Sequence, residues 1–285
     1  MTRKTVVYLR TSHKPEQALG APLVQSQMGG EILRVARQVH ADSPPGTRTY
    51  RADSIESAHI AATSASRAVL DVARESWPAF LRLLKDCPGT AADYQMCVLS
   101  TTPDDDSQRT TFQMANAMVD AGMDPTQIRF IRVAERYQAG DVAYPLVAKF
   151  CDQHGLDHGH AAAILRDTDV LLQAQRDGVS LGELLHGKTD FQARLDEVRH
   201  AEPDEGHFGA LMHKVLRQRK FIAIRERVAQ VIDPLDLPRI TSAQWMEEAD
   251  RFAAAARCRF PHVCAGGETF ADVSPTAPEA AQEAV

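Results

Sequence analysis

Short apolar runs alternate with helical patterns along the first half of the chain. Four runs of β-branched and aliphatic residues predict buried strands, at residues 5–9, 67–72, 95–99 and 127–133. Helices are predicted between them, including one with an apolar stripe from Trp77 onward and one closed by Gly122. Residues 23–39 also repeat apolar positions at helical intervals and predict a helix, although Gly29 and Gly30 weaken it. The alternation predicts an α/β fold with a mostly parallel sheet flanked by helices.

Beyond residue 137, helical patterns dominate the chain. A helix is predicted at 142–153, a short strand at 162–165, and further helices at intervals from 168 to 257. The last residues are small, acidic and rich in proline, which predicts a disordered tail. The predicted organisation is an α/β core at 1–137, the remainder of this core with a helical C-terminal extension at 138–258, and the tail at 259–285.

The overall composition narrows the class of protein. The chain has 285 residues, of which 44% are hydrophobic and 25% charged, as in ordinary globular proteins. Its formal net charge of −6 gives no general attraction to nucleic acid, so any contact with DNA requires a local basic patch. Five scattered cysteines predict no disulfide framework, and no apolar run approaches the roughly 18 residues of a spanning helix. These features predict a cytoplasmic protein.

The loop after the first predicted strand is where an α/β fold of this kind most readily binds phosphate. It reads RTSHKPEQALGAP, without the flanking glycines and the Lys-Ser/Thr pair of a P-loop. Pro15 removes a backbone N–H donor, and Glu16 puts a carboxylate where a hydroxyl would meet magnesium. The loop is therefore a poor nucleotide site, and the alternatives are a plain connection or a vestigial anion loop. The residues that would hold the anion are Arg10, Thr11, Ser12 and Lys14.

Asp71 lies near the end of the second predicted strand, at the edge where open α/β sheets gather ligand groups. In a nucleotide hydrolase, an aspartate at such a position orients magnesium and its water. The alternative is a structural role, in which Asp71 caps the turn that follows.

Three stretches carry a resemblance to a known family. They read VLDVARESWPAFLRLLKD, ADYQMCVLSTTPDDDSQRTTFQMANAMVDAGMDPTQIRFIRV and DVLLQAQRDGVSLGELLHGKTDFQARLDEVR. Together they span about residues 67–230 and resemble the plasmid stability proteins of the StbB type, relatives of the ParA/MinD partition ATPases. The resemblance implies a ParA/MinD-like sheet, and it implies that Asp71 is the Walker B or switch aspartate. It also implies a loop beside the nucleotide base, formed by Thr101, Thr102, Pro103 and Asp104.

The chain departs from this family in the parts that bind and sense the γ-phosphate. The glycine-rich loop after the first strand is missing, and the glycine that family members show after the strand-two aspartate is Ala73 here. The resemblance therefore implies the fold, but it implies neither ATP hydrolysis nor a cofactor. An enzyme alternative stays open, in which Lys14, Asp71 and the loop at 101–104 form an atypical site that binds Mg–ATP and hydrolyses it slowly.

The role implied by the resemblance is an accessory one in bacterial plasmid stability, partition or conjugative transfer, exerted by binding. The implied partners are other plasmid stability or transfer proteins, with DNA reached indirectly through their complex. A homodimer like that of the ParA relatives is left open.

A basic run on the long helix predicted near the end suggests a different function. Its six cations are Lys214, Arg217, Arg219, Lys220, Arg225 and Arg227. They predict either a solvated helix face or a surface that docks on DNA with salt-sensitive affinity.

The opening VVYLRTSHKPEQ is similar to the start of the serine recombinases, with Tyr8, Arg10 and Ser12 at matching positions. The nucleophilic serine of that family needs a cluster of arginines around the DNA phosphate. The corresponding segment here reads VLSTTPDDDSQR, and its three adjacent carboxylates would repel that phosphate. Recombinase activity is therefore not predicted.

Histidines and cysteines gather at two places. The groups are His154, His158 and His160 in HGLDHGH, and Cys258, His262 and Cys264 in CRFPHVC. Neither group by itself supplies the four ligands of a zinc site, so no metal site is predicted.

Overall fold

The computed structural model describes residues 4–37, 47–133, 143–158 and 162–165, together with scattered residues between 169 and 248. The chain divides into two compact units, Met1–Met246 and Glu247–Val285. None of the helices in the described ranges is long and apolar enough to cross a membrane.

The described residues of the first unit form a sheet of seven strands, in which every neighbouring pair is parallel. The strands are β1 (Lys4–Arg10), β2 (Glu31–Ala36), β3 (Thr47–Arg51), β4 (Arg67–Val72), β5 (Met96–Thr101), β6 (Ile128–Val133) and β7 (Ala162–Leu165). Their order across the sheet is β3-β2-β4-β1-β5-β6-β7. The predicted α/β fold class is confirmed, and the sheet is consistent with the ParA/MinD-like arrangement that the resemblance implies.

Described helices connect every pair of strands that follow each other along the chain except β2 and β3, as expected for parallel pairing. They are α1 (Gly20–Met28), α2 (Ile55–Ser64), α3 (Trp77–Asp86), α4 (Asp105–Asp120) and α5 (Pro145–His154). Alternate residues of β1 enter two different cores: Val7 and Leu9 pack with α2 to α5, whereas Val6 and Tyr8 pack with α1. The α1 side of the sheet is also covered by apolar residues from the C-terminal part, such as Leu171 and Leu235. A sheet buried on both faces explains why its strands are near-continuous apolar runs.

The helix predicted across 23–39 is wrong, because the chain turns in the middle of that segment. α1 ends at Met28 and is followed by Gly29 and Gly30, whose φ angles of 72° and 83° lie in the left-handed region, and β2 begins directly afterwards. A Cβ on Gly30 would overlap the carbonyl oxygen of Arg67, so the glycine is needed for close approach as well as for its backbone angle. The apolar positions of β2 imitate a helical repeat since Ile32 faces one core while Leu33 and Val35 face the other.

The remaining strand predictions are confirmed to within two residues, including the short one at 162–165, which is β7. The edge strand β3 was not predicted, because its sequence TRTYR is polar and its side chains are half-buried or exposed. The described residues between 169 and 229 are helical, in agreement with the predicted helical extension. The predicted tail at 259–285 lies outside the described residues.

Candidate functional site

The carboxyl ends of β1, β4 and β5 lie side by side, because β1 is hydrogen-bonded to β4 on one side and to β5 on the other. The ends of parallel strands and the loops that follow them share one edge of a sheet. The structure therefore brings together the three groups that the sequence analysis singled out: residues 10–14, Asp71, and residues 101–104.

The loop after β1 is closed by its own glutamine. The side-chain carbonyl oxygen of Gln17 accepts hydrogen bonds from the backbone N–H groups of Thr11, at 2.8 Å, and Ser12, at 2.7 Å. Gln17 is fully buried and belongs to the 3₁₀ helix Pro15–Leu19 that leads into α1. Consecutive N–H groups that converge on one point form the kind of backbone concavity that binds anions. The Gln17 amide therefore takes the position that a phosphate oxygen would need.

Buried hydroxyl groups tie this loop to the loop after β5. Thr11 Oγ1 donates to the carbonyl oxygen of Ser100 at 2.6 Å and lies 2.8 Å from Ser107 Oγ. Ser107 Oγ in turn accepts a hydrogen bond from the backbone N–H of Thr102 at 3.0 Å. All four residues are buried. A buried network whose members satisfy one another is rigid, and it holds the two loops in one arrangement.

Asp104 caps α4 and also contacts the loop after β1. Its carboxylate accepts hydrogen bonds from the Ser107 N–H, at 2.9 Å, and from the Thr102 hydroxyl, and Lys14 Nζ lies 3.5 Å from it. Partial burial acts to raise the pKa of Asp104, but these hydrogen bonds and the charge of Lys14 together hold that pKa below its ordinary value. The Lys14 and Asp104 side chains are each more than 40% exposed, so their ion pair contributes little stability.

Asp71 is completely buried between two arginines. Arg34 Nε donates to Asp71 Oδ2 at 2.8 Å, and Arg10 donates through an Nη atom to the same oxygen at 3.2 Å. Arg10 Nε also lies 3.0 Å from Asp71 Oδ1, as an ion pair that lacks the angle of a hydrogen bond. Both carboxylate oxygens are therefore in contact with guanidinium groups.

This arrangement does not fit magnesium and ATP. A carboxylate that orients a magnesium ion must present an oxygen to it, whereas both oxygens of Asp71 are turned to cations of the protein. A phosphate-binding loop must offer its N–H groups to the ligand, whereas those of Thr11 and Ser12 bind Gln17. We therefore derive no catalytic step through a nucleotide.

Arg34 and Gln17 are among the residues at this edge that the sequence analysis missed. Arg34 was assigned to the helix predicted at 23–39, although the run EILRVA directly after two glycines is a signal for a strand. Gln17 follows a proline in a loop, and no sequence rule indicates that its side chain would turn back onto Thr11.

Two further contacts link the loop after β4 to its neighbours. Arg74 lies 2.9 Å from Asp106 at the start of α4, and His13 Nδ1 lies 3.6 Å from Glu75. The side chains of Asp106 and His13 are 71% and 70% exposed, so these contacts contribute little stability.

The residues similar to a serine recombinase do not form a nucleophilic site. The Tyr8 hydroxyl donates to the carbonyl oxygen of Gln17 at 2.6 Å, beneath the start of α1, and burial raises its pKa far above the ordinary value. The Ser12 hydroxyl accepts a hydrogen bond from the Lys14 backbone N–H at 3.2 Å. Tyr8 and Ser12 thus make local structural contacts, whereas Arg10 binds Asp71.

Two of the six cations and two of the histidines singled out in the sequence lie within the described residues. Of the six cations, Arg219 and Lys220 are exposed on a helix, and the other four lie outside the described residues, as do His160, Cys258, His262 and Cys264. His158 Nε2 lies 2.9 Å from Asp152, and the ring of His154 packs on Phe150. Within the described part of the chain, no three metal-ligating side chains come together.

Comparison with known proteins gives no family for this chain. No protein-family model matches it, and no curated protein matches it. Its function has to be inferred from the residues at the carboxyl edge of the sheet and from the sequence resemblance described above.

Proposed function

We propose that this chain is a plasmid stability, partition or conjugative-transfer accessory protein of the StbB type, which acts in the cytoplasm by binding and lacks the standard ATP site. Its partners on this proposal are other plasmid stability or transfer proteins, or the DNA complex that they form. The resemblance over about residues 67–230 supports the plasmid role. The parallel sheet, with β1 between β4 and β5, supports the relation to the ParA/MinD fold.

One observation supports the loss of the ATP site. The groups that would hold the nucleotide are already in contact with other side chains of the protein. Gln17 occupies the N–H groups of the loop after β1, and Asp71 is held by Arg10 and Arg34. Opening this site would require breaking the neutral hydrogen bonds of Gln17 and the charged hydrogen bonds of Asp71, which contribute about 0.5 to 1.5 and about 1.5 to 3 kcal/mol each. Binding partners through the outer surface requires no such change.

A nucleotide titration tests the loss of the ATP site. The melting temperature is measured with Mg–ATP and, separately, with Mg–tripolyphosphate at the same concentrations, so that effects of phosphate charge cancel. A ligand bound only by the folded state at about 100 times its Kd adds about 2.7 kcal/mol, which is easily detected. We expect no stabilisation by ATP beyond that by tripolyphosphate. A larger effect of ATP that Asp71→Ala removes would contradict the proposal and favour the weak-ATPase alternative.

A plasmid-retention assay tests the biological role. The chain is expressed in cells that carry a test plasmid from which its own stability gene of the StbB type has been deleted. We expect the chain to restore retention of that plasmid without selection, and an empty expression vector serves as the control. Retention no better than that of the empty vector would count against the plasmid role, whatever the result of the nucleotide titration.

Direct binding of DNA is the second candidate, and the exposure of Arg219 and Lys220 on one helix favours it. Contacts with phosphates release counterions, so the affinity would fall steeply with salt concentration. The double variant Arg219→Ala with Lys220→Ala would then reduce the slope of log K against log salt by about 2, or about 1 for each lost contact. Binding that is absent or independent of salt would remove this candidate.

A further inference from the structure

The cluster around Asp71 holds more positive than negative charge. One carboxylate contacts two guanidinium groups, at 3.0 Å from Arg10 and 2.8 Å from Arg34. Arginine is charged at every physiological pH. The three side chains therefore carry a surplus of at least one positive charge, and the Arg10 and Arg34 side chains are only 16% and 12% exposed.

Most of the hydrogen-bond donors of these arginines are not used within the cluster. A guanidinium group has five N–H donors in a fixed plane, yet Arg34 donates one hydrogen bond and Arg10 one, both to Asp71. No other described residue accepts a hydrogen bond from either side chain. Glu75, a nearby carboxylate on the loop after β4, contacts His13 and the backbone N–H of Arg37 instead.

Strand pairing fixes the two arginines on the same face of the sheet. Arg34 of β2 is directly opposite Asp71 in register, and Tyr8 of β1 is opposite Asp71 on the other side. Arg10 is two residues beyond Tyr8 and therefore points to the same face. The buried carboxylate thus holds two guanidinium groups next to each other, at the edge where open α/β sheets bind their ligands.

We propose that Arg10 and Arg34 form a binding site for the phosphate group of a small molecule. A tetrahedral oxyanion offers separate oxygens to two guanidinium groups, and such bonds are short and about twice as strong as neutral ones. The anion would balance the surplus charge of the cluster. This site differs from a phosphate-binding loop, because its donors are side chains of β1 and β2 and the loop N–H groups stay bound to Gln17. The proposal does not depend on the plasmid role.

Thermal unfolding in matched salts tests the site. The melting temperature is measured in sodium phosphate and in sodium chloride at equal ionic strength and pH. Phosphate at several times its Kd is expected to raise the melting temperature by about 2 to 4 °C over chloride. Arg34→Met is expected to weaken phosphate binding about tenfold or more, and Arg51→Met, which changes an exposed arginine on β3, is expected to leave it unchanged.

A second variant is expected to strengthen the stabilisation by phosphate, whereas Arg34→Met weakens it. Asp71→Asn removes the carboxylate and leaves two arginines without their counter-charge, so it should enlarge the stabilisation by phosphate. Glycerol 2-phosphate distinguishes a phosphomonoester ligand from free phosphate. If it raises the melting temperature as much as inorganic phosphate does, and Arg34→Met removes this rise, the ligand is a phosphomonoester. If it does not raise the melting temperature, the ligand is free phosphate. Equal melting temperatures of the unsubstituted protein in phosphate and chloride, or a phosphate effect that survives Arg34→Met, would overturn the proposal.

Discussion

Replacing Asp71 by asparagine isolates the charge at the centre of the carboxyl edge, since the two side chains have nearly the same shape. Asp71 is fully buried and is the counter-charge of both Arg10 and Arg34. Removing one partner of a buried ion pair costs about 3 to 5 kcal/mol. The two arginines keep some exposure, so the lower end applies, and we expect a loss of about 3 kcal/mol in the free energy of unfolding. That loss corresponds to a fall in melting temperature of roughly 6 to 12 °C for a protein of this size.

Urea denaturation followed by far-UV circular dichroism measures this loss. Asp86→Asn is the matched control, because Asp86 is exposed at the end of α3, and its midpoint should be unchanged. Combining Asp71→Asn with Arg34→Met should recover part of the loss, since one of the two uncompensated charges is then gone. A loss below about 1 kcal/mol for Asp71→Asn would refute the reasoning, because it would mean that the arginines do not depend on the carboxylate.

Three further predictions concern other contacts. Gln17→Ala leaves the buried N–H of Thr11 and the half-buried N–H of Ser12 without an acceptor and should cost about 2 kcal/mol in urea denaturation; a cost near zero would show that the loop rearranges freely. Gly30→Ala should destabilise the fold more than Gly122→Ala, because both glycines have positive φ but only Gly30 faces a carbonyl oxygen at the Cβ position; equal midpoints would contradict this. Burial lowers the pKa of His59 from its ordinary value of 6.5, so the unfolded chain binds the proton more readily and stability should fall as the pH drops below about 6.5. His59→Gln should flatten that dependence between pH 7 and 5, and an unchanged slope would exclude His59 as its source.

Local sequence patterns were sufficient for the interior strands other than β2, which lies between β3 and β4 and was predicted as part of a helix. The runs that became β1, β4, β5 and β6 are continuous and apolar because both faces of the sheet are covered, and this is visible without knowing which strand pairs with which. The edge strand β3 was not predicted because its side chains are half-buried or exposed. Its polar sequence therefore lacks the alternation of apolar and polar residues that indicates a strand.

The candidate site was predicted only in part. That Arg10, Asp71 and Asp104 would lie at the same edge follows from the sequence, because each lies at or just after the carboxyl end of a predicted parallel strand. That Asp71 would lie between two arginines does not follow, because Arg34 is opposite Asp71 only when β2 pairs with β4, and strand order is not a local property.

What the sequence alone determined about this protein is the α/β class, the interior strands other than β2, and the absence of a P-loop glycine pattern. These depend on periodicity and on residue types within a few positions of each other. Only the tertiary structure decided how the site is filled. The Gln17 side chain accepts a hydrogen bond from the Thr11 N–H because the chain turns back between these two residues. Asp71 contacts Arg34 because two strands pair whose residues are 37 positions apart in the sequence. Contacts between distant segments depend on the whole packed sheet, and the same local patterns are compatible with other strand orders.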